Sequence, residues 1–266
     1  MPLPTFRNPL DRLLPRIQEI FEVVLVDGGS RDATLPRAAS LLTAARIRHR
    51  LVELPGSGIY DAINRGVMEA EGEWLYVMGA DDRLSTEGTL AAVADVLRAA
   101  KPHILVVHGD VWIENPGYRY GQPWDWPGFL ERNISHQSAF YRRRPIQRLG
   151  ITYAQKYSLY ADWDYNLKLF AAGAFQYVPL LIAVYACTGV SSQRFDKLFL
   201  AEKERNARRY LGWWRSVFQM PPDRFSLAAE PGSGPSYRLQ FMLNRVLWAF
   251  KRSYRPFRCP PRPPSR

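Results

Sequence analysis

"FEVVLVDGGSRDAT", residues 21–34, decides the fold. Val23 to Val26 is a short apolar run rich in β-branched residues, the reading of a buried strand. It ends in the Gly-rich turn Asp27–Ser30, and Ser30 or Asp32 then caps a helix that continues through Ala38 and Leu42. The same strand–turn–helix unit recurs downstream. "IRHRLVEL" (47–54) reads as a half-buried strand, and "PGSG" (55–58) as a turn. A helix follows from about Ile59 to Glu69, with Ile59, Ile63 and Val67 on one face. "EWLYVMGADD" (73–82) is a third strand, residues 86–102 form a helix stopped by Pro102, and "HILVVHGDVWI" (103–113) is a fourth strand. Strands alternating with helices predict an α/β fold with a mostly parallel central sheet covered on both faces.

The rhythm changes after residue 114. "ENPGYRYGQPWDWPGF" (114–129) reads as a loop, "SHQSAFYRR" (135–143) as a strand, "YADWDYNLKLFAAGA" (160–174) as a helix and "FQYVPLLIAVYA" (175–186) as a further strand. Residues 196–215 predict a charged helix. The domain reading is a main domain over 1–215, with a nucleotide-binding part (1–114) and an acceptor part (115–215). A linker (216–236) and a basic amphipathic helix and tail (237–266) follow.

With 266 residues, 47% of them apolar, the chain supports one sizeable core plus an appendage. Two cysteines, Cys187 and Cys259, are too few for a disulfide scaffold or a structural zinc site. No apolar stretch approaches the ~20 residues of a membrane span, and the N-terminus lacks a signal-peptide core. The expected location is the cytoplasm. The net charge of +11 is uneven: residues 231–266 supply +8 of it with no acidic residue. A nearly neutral main domain argues against nucleic acid as a partner. In the tail, Leu239, Met242, Leu243, Val246, Leu247 and Phe250 form one helical stripe beside Arg238, Arg245, Lys251 and Arg252. Such a helix reads either as interfacial on anionic lipid, on the inner face of the membrane, or as packed on the main domain.

Ligands of open α/β sheets bind at the carboxyl ends of strands. Asp27 and the pair Asp81–Asp82 both occupy such ends, so they are expected to converge on one cleft. Adjacent carboxylates there point to a hard divalent ion carrying a phosphate.

"VVLVDGGSRDAT", "GSGIYDAINRGVMEAEGEWLYVMGADD", "HQSAFYRR", "ADWDYNLKL" and "ACTGVSS", in this order, resemble family 2 glycosyltransferases of the GT-A fold, nearest to bacterial enzymes of exopolysaccharide or lipid-linked glycan synthesis. The resemblance covers roughly residues 5 to 210 and implies an inverting, metal-dependent transfer from a nucleotide-sugar donor to an acceptor hydroxyl. It implies that Asp27 and Gly28 contact the nucleotide, and that Asp61, Asn64 and Arg65 flank the donor. In the same way it implies that Asp82 binds Mn²⁺ or Mg²⁺, with Asp81 on a metal water or the sugar hydroxyls. Asp162 matches the family's base, with Asp164 as alternate. These two lie about 200° apart on a helix and do not share one site. His136 and Arg142 fall on the acceptor or diphosphate side, and Trp124, Trp126 and Trp163 either stack on sugars or pack in the core. The acceptor is expected to be a saccharide or a lipid-linked glycan. In one respect the chain departs from the family: only Thr5 to Asn8 resemble the end of its first strand, and two of the four residues before them are proline. A non-catalytic or weakened nucleotide-sugar-binding protein of the same fold is therefore the alternative.

Overall fold

The computed structural model describes residues 21–80, 82–114, 117–185 and 195–211. Asp81, the shortened first strand, the "ACTGVSS" segment, the linker and the basic tail lie outside the described residues.

β1 (Glu22–Asp27) pairs in parallel with β2 (Arg48–Glu53), so that Asp27 stands opposite Glu53. α1 (Thr34–Ala44) joins them, opened by an Asx turn in which Asp32 Oδ1 accepts the Thr34 amide at 3.0 Å. Ser30 takes no part in that cap, because its hydroxyl donates to Asp27. α2 (Ile59–Glu69) runs over the span expected from its apolar stripe and packs on β1, where Gly66 lies against Val26.

A second sheet carries the bulk of the core. Its order is β3 (Trp74–Tyr76), β7 (Ala139–Arg142), β5 (Ile104–Ile113), β8 (Ala174–Tyr185), β4 (Arg83–Leu84), with β6 (Tyr118–Tyr120) paired to β5 as a hairpin. The α/β expectation holds, but the pairing is mixed rather than mostly parallel. Among the described residues only β5 and β8 run parallel in this sheet; β3–β7, β5–β7, β5–β6 and β4–β8 are antiparallel. The cause lies in residues 117–138, where 114–129 was expected as a loop and 135–143 as a strand. They form β6, the short α4 (Trp126–Glu131) and a 3₁₀ turn (His136–Ser138), and no helix long enough to return the chain to the starting edge of the sheet. β7 therefore enters from the opposite end and slots between β3 and β5.

β5 is buried along nearly its whole length, as a near-continuous apolar run predicts for a strand covered on both faces. At Gly109 the neighbouring β8 comes so near that a Cβ would sit 2.5 Å from the Leu180 carbonyl oxygen. The ladder shifts register at this point, between His108 and Asp110. α3 (Thr89–Ala99) covers one face through Val93, packed with Ile104, Val107, Phe140 and Ile182. On the other side α6 (Ala161–Ala172) is buried almost all round, held by α7 (Lys197–Leu211) and by α4. Tyr153 stacks on Tyr165 at 4.1 Å, and Trp163 packs on Phe199 at 5.3 Å. Trp124, Trp126 and Trp163 all belong to this core, the second of their two readings. α5 (Arg143–Arg148) continues directly from β7.

Candidate active site

The site is built where three chain segments meet: the turn between β3 and β4, the 3₁₀ turn before β7, and the first turn of α6. Asp82 comes from the first. Its Oδ2 accepts the Gly79 amide at 2.7 Å, closing the turn, and its Oδ1 accepts Gln137 Nε2 at 3.0 Å. These bonds hold the carboxylate in place at only 4% exposure. Burial acts to raise its pKa, but His136 and the two donors outweigh burial and hold it below the usual aspartate value.

Asp162, the second residue of α6, is 18% exposed. Its Oδ1 accepts the Trp163 amide at 2.9 Å and its Oδ2 accepts Asn133 Nδ2 at 2.8 Å. The positive end of the helix dipole favours an anion at this point.

His136 stands between the two aspartates. Its Nε2 lies 3.8 Å from Asp82 Oδ2 and its Nδ1 lies 3.8 Å from Asp162 Oδ2. Burial disfavours the charged ring, but the two flanking carboxylates outweigh it and push the imidazole up to about 9. The ring thus carries a positive charge at neutral pH and bridges two acids that are far apart in sequence. A raised folded-state pKa contributes stability that is fully present below the free imidazole value of about 6.5 and is lost as pH climbs toward 9. We expect the melting temperature, measured in EDTA, to fall across that window, and His136→Gln to flatten the fall. An equally steep profile in His136→Gln would show that the ring is not the bridge.

Of the expected pair Asp162 and Asp164, only Asp162 reaches this place. Asp164 is 1% exposed on the other side of α6, paired with Lys168 at 2.7 Å, and it accepts the Tyr210 hydroxyl at 2.7 Å. That corrects the alternate. Asp27 is turned into its own loop: its carboxylate accepts the amides of Gly29 at 2.9 Å and Ser30 at 2.7 Å, and the Ser30 hydroxyl at 2.5 Å. The Ser30 hydroxyl is the main cause holding its pKa down. Those bonds shape the turn around Gly28 and Gly29, the latter at φ +112 where a side chain is strained. They do not reach Asp82, so the expected convergence of Asp27 on Asp82 is not seen as a contact.

Two of the three α2 residues hold the frame. Asp61 accepts the Gly58 amide at the start of its own helix and also binds Gln155. Asn64 clamps the Tyr153 backbone with both ends of its amide, each at 2.9 Å. Arg65 pairs with Glu69 at 2.6 Å on the surface. Arg142, expected toward the acceptor, sits instead at the end of β7 away from His136. Its guanidinium donates to the carbonyls of Ile104, Ala100 and Lys101 and to Glu73, and lies 4.4 Å above the Trp74 ring. Its donors are engaged in joining β3 and β7 to the end of α3. Asn133 and Gln137, which touch the two acids directly, were not anticipated. Neither amide carries a sequence signal, because the turn that aims them is tertiary.

Residues 4–160 match the model of the family described as Glycosyl transferase family 2. The chain belongs to this family. It is a glycosyltransferase. The matched segment stops just short of Asp162. A "PGL/p-HBAD biosynthesis glycosyltransferase" of Mycobacterium bovis is 40% identical over 195 residues, covering 71% of this chain and 74% of the relative, and one from Mycobacterium tuberculosis is equally similar. Among solved structures, residues 1–349 of S. aureus TarS in complex with UDP-GlcNAc match with a TM-score of 0.54 at 16% identity, over 78% of this chain and 68% of that TarS piece. The mannosyltransferase PcManGT from Pyrobaculum calidifontis, in complex with GDP-Man and Mn²⁺, matches with a TM-score of 0.51 at 19% identity, over 89% of this chain and 73% of PcManGT. These likenesses identify the fold as that of the GT-A glycosyltransferases. No helix among the described residues is long and apolar enough to cross a membrane.

Proposed function

We propose that this glycosyltransferase moves a hexose from a nucleotide-sugar donor to an acceptor hydroxyl in one inverting displacement, with Asp162 as base and Asp82 at the leaving group. The observation that carries the reading is the His136 bridge, which sets two acids from separate segments on either side of one imidazole. An inverting transfer needs two such groups with different tasks.

One task is proton removal. As the acceptor oxygen forms its bond to the anomeric carbon, its proton passes to the Asp162 carboxylate. The bond from that carbon to the diphosphate oxygen breaks, and the nucleoside diphosphate leaves with the electron pair. The other task is to hold charge where the diphosphate departs. Among the described residues no cluster of three or more acidic, His or Cys side chains forms a metal site. The Asp82 carboxylate nonetheless fits a divalent ion: each of its oxygens accepts one hydrogen bond and keeps further lone-pair capacity. Asp82, with Asp81 next in sequence, would hold Mn²⁺ or Mg²⁺. When bound, the ion would neutralise the charge developing on the diphosphate. Asp27, Gly28 and Arg65 belong to the donor side in this reading, and Asp61 and Asn64 hold the helix that flanks it. The glycan relatives and the nucleotide-sugar complexes of the structural neighbours support the substrate class.

The acceptor in this reading is a saccharide or lipid-linked glycan, met at an anionic membrane surface through residues 237–266. The direct test incubates the protein and Mn²⁺ with UDP-glucose, UDP-galactose, UDP-GlcNAc and GDP-mannose, and measures release of nucleoside diphosphate, with anionic liposomes present or absent. We expect metal-dependent release from one of them and co-flotation of the chain with the liposomes. Release unaffected by EDTA would refute the metal's role. Equal flotation after deletion of 237–266 would refute the tail's.

A further inference from the structure

We propose that Asn133 is the positioning residue for Asp162, set by a one-way relay of hydrogen bonds that starts at Tyr141. The inference rests on the reading of Asp162 as the base. The relay begins in the core, where the Tyr141 hydroxyl donates to Asn166 Oδ1 at 3.0 Å. A phenol proton aimed at that oxygen leaves the Asn166 NH₂ to face the other way, and it donates to Asn133 Oδ1 at 2.9 Å. That acceptor in turn obliges the Asn133 NH₂ to face Asp162, whose Oδ2 it reaches at 2.8 Å. An amide free to flip would offer Asp162 its oxygen half the time and repel it. Here the flip is forbidden from the far end, because Asn166 is fully buried and Tyr141 nearly so.

The backbone of Asn133 is pinned as well. Its carbonyl accepts the Tyr120 hydroxyl at 2.5 Å, which ties the turn to β6. With Oδ1 of Asp162 held by the Trp163 amide, both carboxylate oxygens have a fixed donor, and the rotation of the group about its last bond is set. General-base catalysis is sensitive to that angle, since a misplacement of about 1 Å costs on the order of a hundredfold. Asn133 touches no reacting atom in this account; it aims the group that does.

Three variants test the inference: Asn133→Ala, Tyr141→Phe and Asp162→Asn. Turnover is read as hydrolysis of the four nucleotide sugars named above, water standing in for the acceptor hydroxyl. Binding is read with UDP and Mn²⁺. We expect Asn133→Ala to lower kcat by about tenfold to a hundredfold while UDP affinity stays within about twofold, well under the tenfold that 1.4 kcal/mol would bring. Tyr141→Phe, two amides away from Asp162, gives a smaller loss in the same direction. A crystal structure of Asn133→Ala supplies a readout that needs no turnover: the Asp162 carboxylate takes a new or a divided orientation while Asn166 and Tyr141 stay in place. An Asp162 side chain unmoved in that structure overturns the proposal, as does a folded Asn133→Ala enzyme with wild-type kcat. Loss of UDP binding in step with kcat would mark Asn133 as merely structural. Undiminished hydrolysis by Asp162→Asn instead sinks the assignment of the base, whatever the crystal shows of Asn133.

Discussion

Asp162→Asn is expected to lower kcat by about 10²- to 10⁴-fold, the span that general-base catalysis contributes, while UDP binding survives. The amide that replaces the carboxylate has nearly its shape, so the loss is chemical. One oxygen remains to accept the Trp163 amide, the bond made by Oδ1 at 2.9 Å. The NH₂ would take the place of Oδ2 and face Asn133 Nδ2, a donor against a donor. That mismatch costs about 1–3 kcal/mol if neither group finds water, so a fall in melting temperature accompanies the loss of turnover. The two effects separate cleanly under the proposed function, which puts UDP at the Asp82 end of the site. A variant that binds UDP and transfers nothing is the signature of a missing base. A wild-type protein that binds UDP but turns over none of the donors, with or without metal, would favour the non-catalytic alternative.

Asp82→Asn is expected to abolish the stabilisation that Mn²⁺ and UDP together confer on the wild type. A ligand at a hundred times its Kd stabilises a protein by about 2.7 kcal/mol, so a saturated wild-type site gives a melting shift of several degrees. The carboxylate of Asp82 receives two donors, from Gly79 and Gln137, and faces His136. An amide at this place must turn its NH₂ toward one of those donors, and it brings no charge to an ion or to the imidazolium. The metal-free variant is therefore less stable than the metal-free wild type at neutral pH, and its melting temperature no longer responds to Mn²⁺. Differential scanning of both proteins, each with EDTA and with Mn²⁺ plus UDP, reads both effects at once. An unchanged response to Mn²⁺ would move the metal off Asp82.

Much of the frame was legible in the chain itself. The apolar run Val23–Val26 and the Gly-rich turn after Asp27 specify β1 and its exit, through β-branched residues and a positive φ, although the run is half-buried where a buried strand was expected. The stripe Ile59, Ile63, Val67 specifies α2, and its bounds agree with the reading. The mixed sheet was not legible. β7 reads as a strand in either direction, and only the path of residues 117–138 decides that it enters antiparallel between β3 and β5.

The same division runs through the site. Residue type and the family resemblance brought Asp82, His136 and Asp162 forward, and the fold sets His136 between the two acids. Which acid of "ADWDY" faces the site could be narrowed by the 100° step of a helix, but its phase was unknown until α6 was packed. Once it is, Lys168 and Tyr210 claim Asp164. Arg142 and Asn64 carry the right chemistry for a ligand, yet tertiary carbonyls reach them first. The sequence by itself determined the inventory of acids, the strand–turn–helix frame and the family. The tertiary structure alone decided the partners: the imidazole between two carboxylates and the relay from Tyr141 through Asn166 and Asn133. Hydrogen bonds are directional and act only at contact, so residues distant in the chain acquire these roles only when folding brings them within reach.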